Sequence, residues 1–197
     1  MNPHEQFPIA TGPVTVCQLQ PELDLALDMY RQHNPKRVLE IGTASGGSLY
    51  HWLQNSTPGT RIVTVDLPIP DYESSEHLYP DWTPEGVTVT QIRGNSHHAD
   101  TIDACRLFGP YDLVFIDGAH PYPDARQDYD NYAPMCVPGG LVMLHDIALR
   151  RDYGDGVTAG VWQLWRELQA EGLWTRELRA DPRLTEYGIG IVRPGCV

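Results

Sequence analysis

The sequence predicts a doubly wound α/β domain: a mostly parallel, seven-stranded sheet with helices on both faces and a C-terminal antiparallel hairpin. Three observations lead to this prediction. The chain has 197 residues, the length of one ordinary domain. Short apolar runs alternate with helical patterns, which is typical of parallel sheets. The last two apolar runs follow one another without a clear helical pattern between them, which favours a hairpin.

The first half of the chain predicts two helices and three strands. A helix is expected over 19–33, where apolar residues recur and Asn34-Pro35 ends the pattern. A glycine-rich turn over 42–47 leads into a second helix over 48–55, with Ser48 as its expected N-cap. The strands, which share short aliphatic runs, are expected over 36–41, 61–66 and 87–92.

The second half repeats the alternation and then departs from it. The continuous apolar run Leu113-Val114-Phe115-Ile116 is typical of a strand buried on both faces. Helices are expected over 98–108, 124–135 and 157–171. Strands are expected over 111–117 and 141–144, followed by the hairpin strands near 174–178 and 187–192.

The composition of the chain alone excludes some classes of binding partner. The chain carries 14 Lys and Arg against 26 Asp and Glu, a net charge of −12. We therefore expect no nucleic-acid partner and no anionic membrane partner, because both need clustered basic residues. The sequence shows no signal peptide pattern and no apolar run of about 20 residues, so we expect a cytoplasmic protein. No cysteine pair has C-x-x-C spacing, so we expect reduced thiols. We expect a single domain over 1–197. A small molecule is the expected partner.

Polar residues follow the first two predicted strands, where parallel sheets bind ligands. The turn after the first strand contains Gly42, Ser45, Gly46 and Ser48. Asp66 ends the second strand at the distance typical of a carboxylate that accepts from a ribose diol. An ordinary strand-to-helix turn is the alternative, and the missing second glycine of G-x-G-x-x-G makes a nicotinamide oxidoreductase the weakest interpretation.

The fourth and fifth strands end in a second polar group. Asp117 and His120 follow one strand, and His145 and Asp146 follow the next. Directly adjacent strands lie about 4.8 Å apart, so two carboxylates and two imidazoles are expected to converge. Asp117, His145 and Asp146 then form a candidate site for a divalent cation, while capping of the following helices is the alternative. His97 and His98 are expected to be solvated.

Taken together, these motifs resemble class I S-adenosylmethionine-dependent methyltransferases, which have a Rossmann-like fold. Within that superfamily they are similar to the small metal-dependent O-methyltransferases of the catechol and caffeoyl-coenzyme A type, and to macrolide-sugar and cephalosporin-hydroxylase-like relatives. The resemblance extends over about 19–192. It rests on 38–48, Asp66, the segment 115–120 and the segment 138–146.

The resemblance implies a role for each motif residue. Glu40 and Gly42 would line the methionine and ribose part of the cofactor, Ser48 would hold the methionine carboxylate, and Asp66 would bind the ribose. The other implied cofactor-binding residues are Ser45, Gly46, Asn95, Ser96 and Asp117. Asp117, His145 and Asp146 would bind the metal, with Mg²⁺ expected, and His120 would act as general base. The implied activity is methyl transfer to a hydroxyl of a small natural product, sugar or phenol.

Three segments and two other functions remain open. The loop 67–86, with Tyr72, Tyr79 and Trp82, is a candidate lid or a plain surface excursion. Arg150-Arg151 are candidate ligands of a substrate anion, and an ordinary helix-entry turn is the alternative. The arm 1–18 is a candidate cover for the site or for a partner in a homodimer. A metal-independent N-methyltransferase and a non-catalytic S-adenosylmethionine-binding accessory protein are the alternatives.

Overall fold

One seven-stranded sheet and a separate two-stranded hairpin organise residues 6–68, 75–154 and 156–195, which the structure, a computed structural model, describes. The strands of the large sheet are β1 (Arg37–Ile41), β2 (Arg61–Asp66), β3 (Thr88–Arg93), β4 (Tyr111–Ile116), β5 (Cys136–His145), β8 (Trp174–Leu178) and β9 (Ile189–Arg193). Their order in the sheet is β3-β2-β1-β4-β5-β9-β8. The hairpin pairs β6 (Asp152–Gly154) with β7 (Val157–Thr158).

Strands β1 to β5 run parallel, and β9 runs in the opposite direction. β8 is antiparallel to β9 and therefore has the same direction as β1 to β5. β1 pairs in parallel with β2 and β4, so that its carboxyl end is flanked by Asp66 and Asp117. β9 pairs antiparallel with both β5 and β8 and therefore lies between them. The predicted fold class is confirmed, including the C-terminal hairpin.

Six helices cover the sheet in the described part of the chain. They are α1 (Gln20–His33), α2 (Gly47–Gln54), α3 (Tyr79–Trp82), α4 (Ala99–Phe108), α5 (Tyr122–Tyr132) and α6 (Val161–Ala170). Two short 3-10 turns, Ser75–Leu78 and Ala133–Met135, adjoin α3 and α5.

Two local expectations were wrong. Ser48 does not cap α2: the N-cap is Gly46 in a left-handed conformation, and the Ser48 hydroxyl binds Glu40. The helix expected over 157–171 begins only at Val161, because residues 157 and 158 pair with β6. Both deviations occur at element ends, where side-chain and backbone hydrogen bonds compete.

Two apolar cores sit on opposite faces of the sheet, since successive strand residues point to opposite sides. Val38 packs into the core under α1, α2 and α3, with Trp52 fully buried. Leu39 packs into the core under α4, α5 and α6, with Trp165 fully buried. The sheet is thus covered on both faces, and its open side is the rim at the carboxyl ends of the strands.

The loop 67–86 has a different surface from the one expected. Tyr79 and Trp82 are buried in the core under α3, with their rings 5.7 Å apart, so they do not form an aromatic lid surface. Tyr72 and Cys196 lie outside the described residues. The other cysteines, Cys17, Cys105 and Cys136, are free thiols. In the described segments no helix is both long and apolar enough to cross a membrane.

The arm before α1 lies across the glycine turn. Ile9 pairs with Leu19, and the Ser45 hydroxyl donates to the Thr15 carbonyl over 3.0 Å. A side chain at Gly47 would collide with the Thr15 carbonyl oxygen, so only glycine lets the arm approach this closely. The described part of the arm therefore covers the start of α2.

Candidate active site

Two cavities lie side by side at the carboxyl ends of the strands. The first, which we call the β2–β3 cavity, has a volume of about 450 Å³. The second, the β4–β5 cavity, has a volume of about 370 Å³. Both are lined by the same four residues at the ends of β1 and β4: Gly42, Ala44, Asp117 and Gly118.

The shared wall depends on a close backbone approach. Gly42 has a φ of 89°, and a side chain there would collide with the Asp117 carbonyl oxygen. The Asp117 amide donates to the Ile41 carbonyl over 2.8 Å, which continues the β1–β4 ladder to the rim. Glycine at position 42 thus brings the turn against the end of β4.

Glu40 supports this wall from below without reaching either cavity. It is fully buried and accepts hydrogen bonds from the Ser48 hydroxyl (2.7 Å), the Trp52 indole (3.2 Å) and the Thr64 hydroxyl (2.9 Å). Burial nevertheless raises the pKa of Glu40 to about 7. The carboxyl group therefore braces the glycine turn, α2 and β2 together.

Asp66 holds the same turn from the β2–β3 cavity. One carboxylate oxygen accepts from the Ala44 amide, and the other accepts from the Leu67 amide over 2.7 Å. Asn95 and Ser96 lie across the cavity, after β3. This end therefore offers a carboxylate, an amide and a hydroxyl to a bound ligand.

His145 lies at the base of the β4–β5 cavity, between two carboxylates. Its Nδ1 atom is 3.1 Å from Oδ1 of Asp117 and 3.5 Å from Oδ1 of Asp146. Burial opposes a charge on this ring, but Asp117, Asp146 and Glu22 outweigh that effect and raise the pKa of His145 to about 10. A charged His145 neutralises part of the carboxylate charge at the rim.

His120 lies over Asp146 and is half-accessible. Its Nε2 atom is 3.1 Å from Oδ2 of Asp146, and its Nδ1 atom is 2.9 Å from the Tyr153 hydroxyl. The hydrogen bond to Asp146 raises the pKa of His120 above its ordinary value. Asp146 itself has a φ of 61°, an uncommon left-handed conformation that is typical of functional sites.

Asp117, His120 and Asp146 each offer a ligand atom, and these atoms all lie within 4.8 Å of one another. Two carboxylates and one imidazole are a suitable donor set for a divalent cation. His145 is not in this group; its Nδ1 atom lies directly beside the carboxylates of Asp117 and Asp146. Gln18 of the arm donates to Oδ2 of Asp117 over 3.1 Å.

The structure brings most predicted residues to one of the two cavities. Glu40 and Gly46 do not line either cavity. Asp66, Asn95 and Ser96 line the β2–β3 cavity; Ser45, Ser48, His120, His145 and Asp146 line the β4–β5 cavity; Gly42 and Asp117 line both.

Sequence reasoning missed other lining residues. His97 is not solvated as expected: it lies between Asp124 and Asp128 of α5 and lines the β2–β3 cavity. The i, i+4 spacing of those two acids was the available signal. Nothing in the sequence pointed to Gln18 or Tyr187, which line the β4–β5 cavity from distant parts of the chain.

The two candidate substrate arginines separate in the structure. The Arg150 guanidinium stacks on Trp162, 3.9 Å from the ring centroid. Arg151 lines the β4–β5 cavity. Only Arg151 is therefore in a position to contact a ligand there.

A protein-family comparison matches residues 39–147, from β1 to just beyond β5, to a family described as a methyltransferase domain. The chain belongs to this methyltransferase family. The matched segment carries Asp66, Asp117, His120, His145 and Asp146, and thus most of the rim residues of both cavities. The sequence-based identification as a class I S-adenosylmethionine-dependent methyltransferase is confirmed.

Individual relatives fit this assignment. The mycinamicin VI 2''-O-methyltransferase of Micromonospora griseorubida is 29% identical over 119 residues, which is 56% of this chain and 27% of that protein. The O-methyltransferase TomG of Streptomyces achromogenes, solved in complex with SAM, has a TM-score of 0.67 at 22% identity, covering 97% of this chain and 85% of TomG. The chain spans only 15% and 27% of two curated relatives.

A further solved structure is the methyltransferase MycE in complex with Mg, S-adenosylhomocysteine and mycinamycin VI. Its TM-score is 0.60 at 22% identity, with 89% of this chain and 48% of the MycE chain covered. At such identities the structural matches show a shared fold.

Proposed function

We propose that this methyltransferase transfers the methyl group of S-adenosylmethionine to a hydroxyl group of a small molecule. The observation that carries the proposal is the shared wall of the two cavities. A carboxylate suited to a ribose lies in one cavity, and a histidine paired with a carboxylate lies in the other. A cofactor that crosses the wall at Gly42 and Asp117 would present its methyl group in the β4–β5 cavity.

The β2–β3 cavity suits the nucleoside half of the cofactor. Asp66 would accept from the ribose hydroxyls, and Asn95 and Ser96 would lie beside the purine. The methionine half would pass Gly42 toward Ser45 and Ser48 in the β4–β5 cavity. Glu40 and Gly46 would act indirectly, by holding the turn and α2 in place.

His120 is the proposed general base. It lines the β4–β5 cavity, and a positioned base typically contributes about 10²–10⁴ to a rate. Asp146 orients the ring through Nε2, and Tyr153 contacts Nδ1. The imidazole would take the proton of an acceptor hydroxyl in the cavity as its oxygen becomes methylated. Bound S-adenosylmethionine would supply the methyl group and keep the electron pair of the broken sulfur–carbon bond.

A divalent cation fits the same rim. Asp117 and Asp146 would hold it, with Mg²⁺ as the expected ion. When bound, such an ion stabilises the negative charge that develops on the acceptor oxygen. His145 from below then orients both carboxylates, which is a supporting role rather than the ligand role implied by the resemblance.

The names of the relatives support a hydroxyl acceptor, since TomG and the mycinamicin enzyme are O-methyltransferases. Arg151 and Tyr153 at the cavity mouth fit an acceptor with polar groups beyond the reacting hydroxyl. An amine acceptor is the alternative, and it requires no metal.

The test is transfer of a labelled methyl group from S-adenosylmethionine to panels of small hydroxylated and amine acceptors, with and without chelator. We expect O-methylated product, and loss of its formation with chelator that added Mg²⁺ reverses. Product on amines alone, insensitive to chelator, would establish the alternative. Binding of S-adenosylhomocysteine without transfer to any acceptor would contradict the proposed activity and favour an accessory protein.

A further inference from the structure

A third cavity lies at the opposite end of the strands from the two cavities described above. It adjoins the first residues of β1, β2 and β3 and the end of α4, and it has a volume of about 460 Å³. We call it the amino-end cavity. Among the described residues, none lines both this cavity and one of the cavities at the carboxyl ends. The proposed methyl transfer therefore does not use it.

The register of the sheet brings two arginines together at this cavity. Arg37 begins β1, Arg61 begins β2, and the two are direct partners in the parallel pairing. Directly paired residues of adjacent strands lie about 4.8 Å apart and point to the same face of the sheet. Both arginines are exposed and line the cavity. Two guanidinium groups are thus side by side at its mouth.

Neither arginine has a carboxylate partner. Within the described segments neither guanidinium forms an ion pair, and the hydrogen bond found for the pair is a long one, from Nη1 of Arg37 to the Gly109 carbonyl over 3.5 Å. Asp112 does not supply the missing charge, because its carboxylate accepts from the backbone amides of Lys36 (2.7 Å) and Arg37 (2.9 Å). The positive charge of both side chains therefore stays available to a ligand.

This lack of partners is unusual for such an acidic chain, which has 26 Asp and Glu against 14 Lys and Arg. Other arginines do find acids: Arg106, on α4 near the cavity, pairs with Asp103 over 2.7 Å, and Arg126 pairs with Asp130 over 3.0 Å. Two adjacent guanidinium groups without an acid form a local positive patch on a molecule with a net charge of −12. Such a patch attracts an anion.

The walls of the amino-end cavity are apolar. Leu107 and Phe108, the last residues of α4, line it and are 84% and 43% exposed. Tyr111 lines it as well, but its hydroxyl donates to the Cys105 carbonyl over 2.6 Å and is not free for a ligand. A single exposed apolar side chain is ordinary, whereas two neighbours beside a cavity with few polar groups are typical of a ligand site.

We propose that the amino-end cavity binds a small organic carboxylate with a flat apolar body. The carboxylate would lie between Arg37 and Arg61, since guanidinium groups bind carboxylates through paired N–H donors. The apolar body would cover Leu107 and Phe108. A neutral apolar ligand would leave the guanidinium groups without an acceptor, and an inorganic anion would leave the apolar walls uncovered. This site is separate from the proposed active site and does not depend on the proposed function.

The test compares the binding of two probes to the full chain by calorimetry: 2-naphthoate, and 2-naphthamide as its neutral analogue of the same shape. We expect 2-naphthoate to bind at least about tenfold more tightly, because hydrogen bonds between charged groups are the stronger ones. Saturation with S-adenosylhomocysteine should leave the dissociation constant of 2-naphthoate unchanged. Equal binding of the two probes, or no binding of 2-naphthoate, would overturn the proposal.

Four variants at exposed positions locate the binding site. Arg37→Gln and Arg61→Gln should each weaken 2-naphthoate about tenfold or more, with little effect on 2-naphthamide. Leu107→Ser should weaken both probes alike, about 3–10-fold, because it removes apolar contact area. Arg166→Gln, on the exposed face of α6, is the matched control and should change neither. Thermal unfolding of each variant checks that it is folded.

Arg151 of the β4–β5 cavity offers the other place where this probe could bind. If Arg151→Gln abolishes 2-naphthoate binding and Arg61→Gln does not change it, the anion binds in the β4–β5 cavity and the proposal is overturned. Unchanged binding in Arg151→Gln supports the amino-end cavity. Because these measurements follow a carboxylate and not methyl transfer, their outcome is distinguishable from that of the proposed function.

Discussion

Both cavities contain histidines beside carboxylates, but the two arrangements are inverted. In the β4–β5 cavity the carboxylates of Asp117 and Asp146 are at the rim, and His145 is buried beneath them. In the β2–β3 cavity the carboxylate of Asp128 is buried, and His97 faces the cavity. Within these two groups, the more exposed partner is a carboxylate in one cavity and an imidazole in the other.

The difference between the two cavities suits two different tasks, the reaction step and the binding of the cofactor. Carboxylates at a rim can hold a cation or orient a base, and both tasks concern the reaction step. Asp66, Asn95 and Ser96 line the other cavity, where the nucleoside half of the cofactor is proposed to bind. Changes in the β4–β5 cavity should therefore alter turnover, while changes in the β2–β3 cavity should alter cofactor affinity.

The largest effect is expected for His120→Ala. Turnover should fall by about 10²–10⁴, since the base is lost, while the dissociation constant of S-adenosylhomocysteine stays the same. Steady-state rates and calorimetry measure the two quantities. If the variant instead loses Mn²⁺ binding, measured by the resonance spectrum of the free ion, His120 is a metal ligand and not the base.

A smaller effect is expected for Asp66→Asn at the other end. The loss of a charge-assisted acceptor should weaken S-adenosylhomocysteine binding about 10–100-fold, with turnover at saturating cofactor little changed. Asp152→Asn, on the exposed hairpin, is the matched control. A drop in turnover without a change in affinity would remove the separation between the two cavities.

Glu40→Gln tests the support beneath both cavities. Burial raises the pKa of Glu40 to about 7, above its ordinary value of 4.5, so the folded chain binds this proton more tightly than the unfolded chain. The stability due to this proton is complete below pH 4.5 and is lost as the pH rises through 7.

The glutamine variant has no such titration. The wild-type chain should therefore lose on the order of 2 kcal/mol relative to the variant between pH 5 and pH 8, measured from denaturant unfolding at each pH. A difference that stays constant over this range would show that Glu40 has an ordinary pKa.

The smallest effect is expected for Tyr153→Phe, which removes the hydrogen bond to Nδ1 of His120 and keeps the ring. Turnover should fall about 2–10-fold, the range for one partly exposed hydrogen bond, with cofactor affinity unchanged. An effect as large as that of His120→Ala would indicate that the Tyr153 hydroxyl itself contacts the acceptor.

The sequence predicted the parts of the molecule that depend on local patterns. The aliphatic runs of β2 and β8 have the predicted bounds, because strand periodicity and flanking turns are local signals. Asp117 and Asp146 meet as expected, since adjacent parallel strands end at the same rim.

The rest depended on contacts between distant residues. Gln18 reaches Asp117 across 99 positions, and His97 meets Asp128 through the packing of α5 against the β3–α4 loop. The spacing of apolar residues along the sequence does not predict such contacts. His145 shows the same limit: its neighbours were foreseen, but its position below them depends on the packing of the completed sheet.

The central position of β9 has a consequence for how the molecule is made. β9 joins β5 to β8, yet it is synthesised after both. Until Ile189–Arg193 leaves the ribosome, the edge of β5 remains unpaired, and an open edge invites aggregation. Every residue of the β2–β3 cavity precedes β5, whereas Glu186 and Tyr187 of the β4–β5 cavity come just before β9. Every residue of the β2–β3 cavity therefore leaves the ribosome before the last residues of the β4–β5 cavity are synthesised.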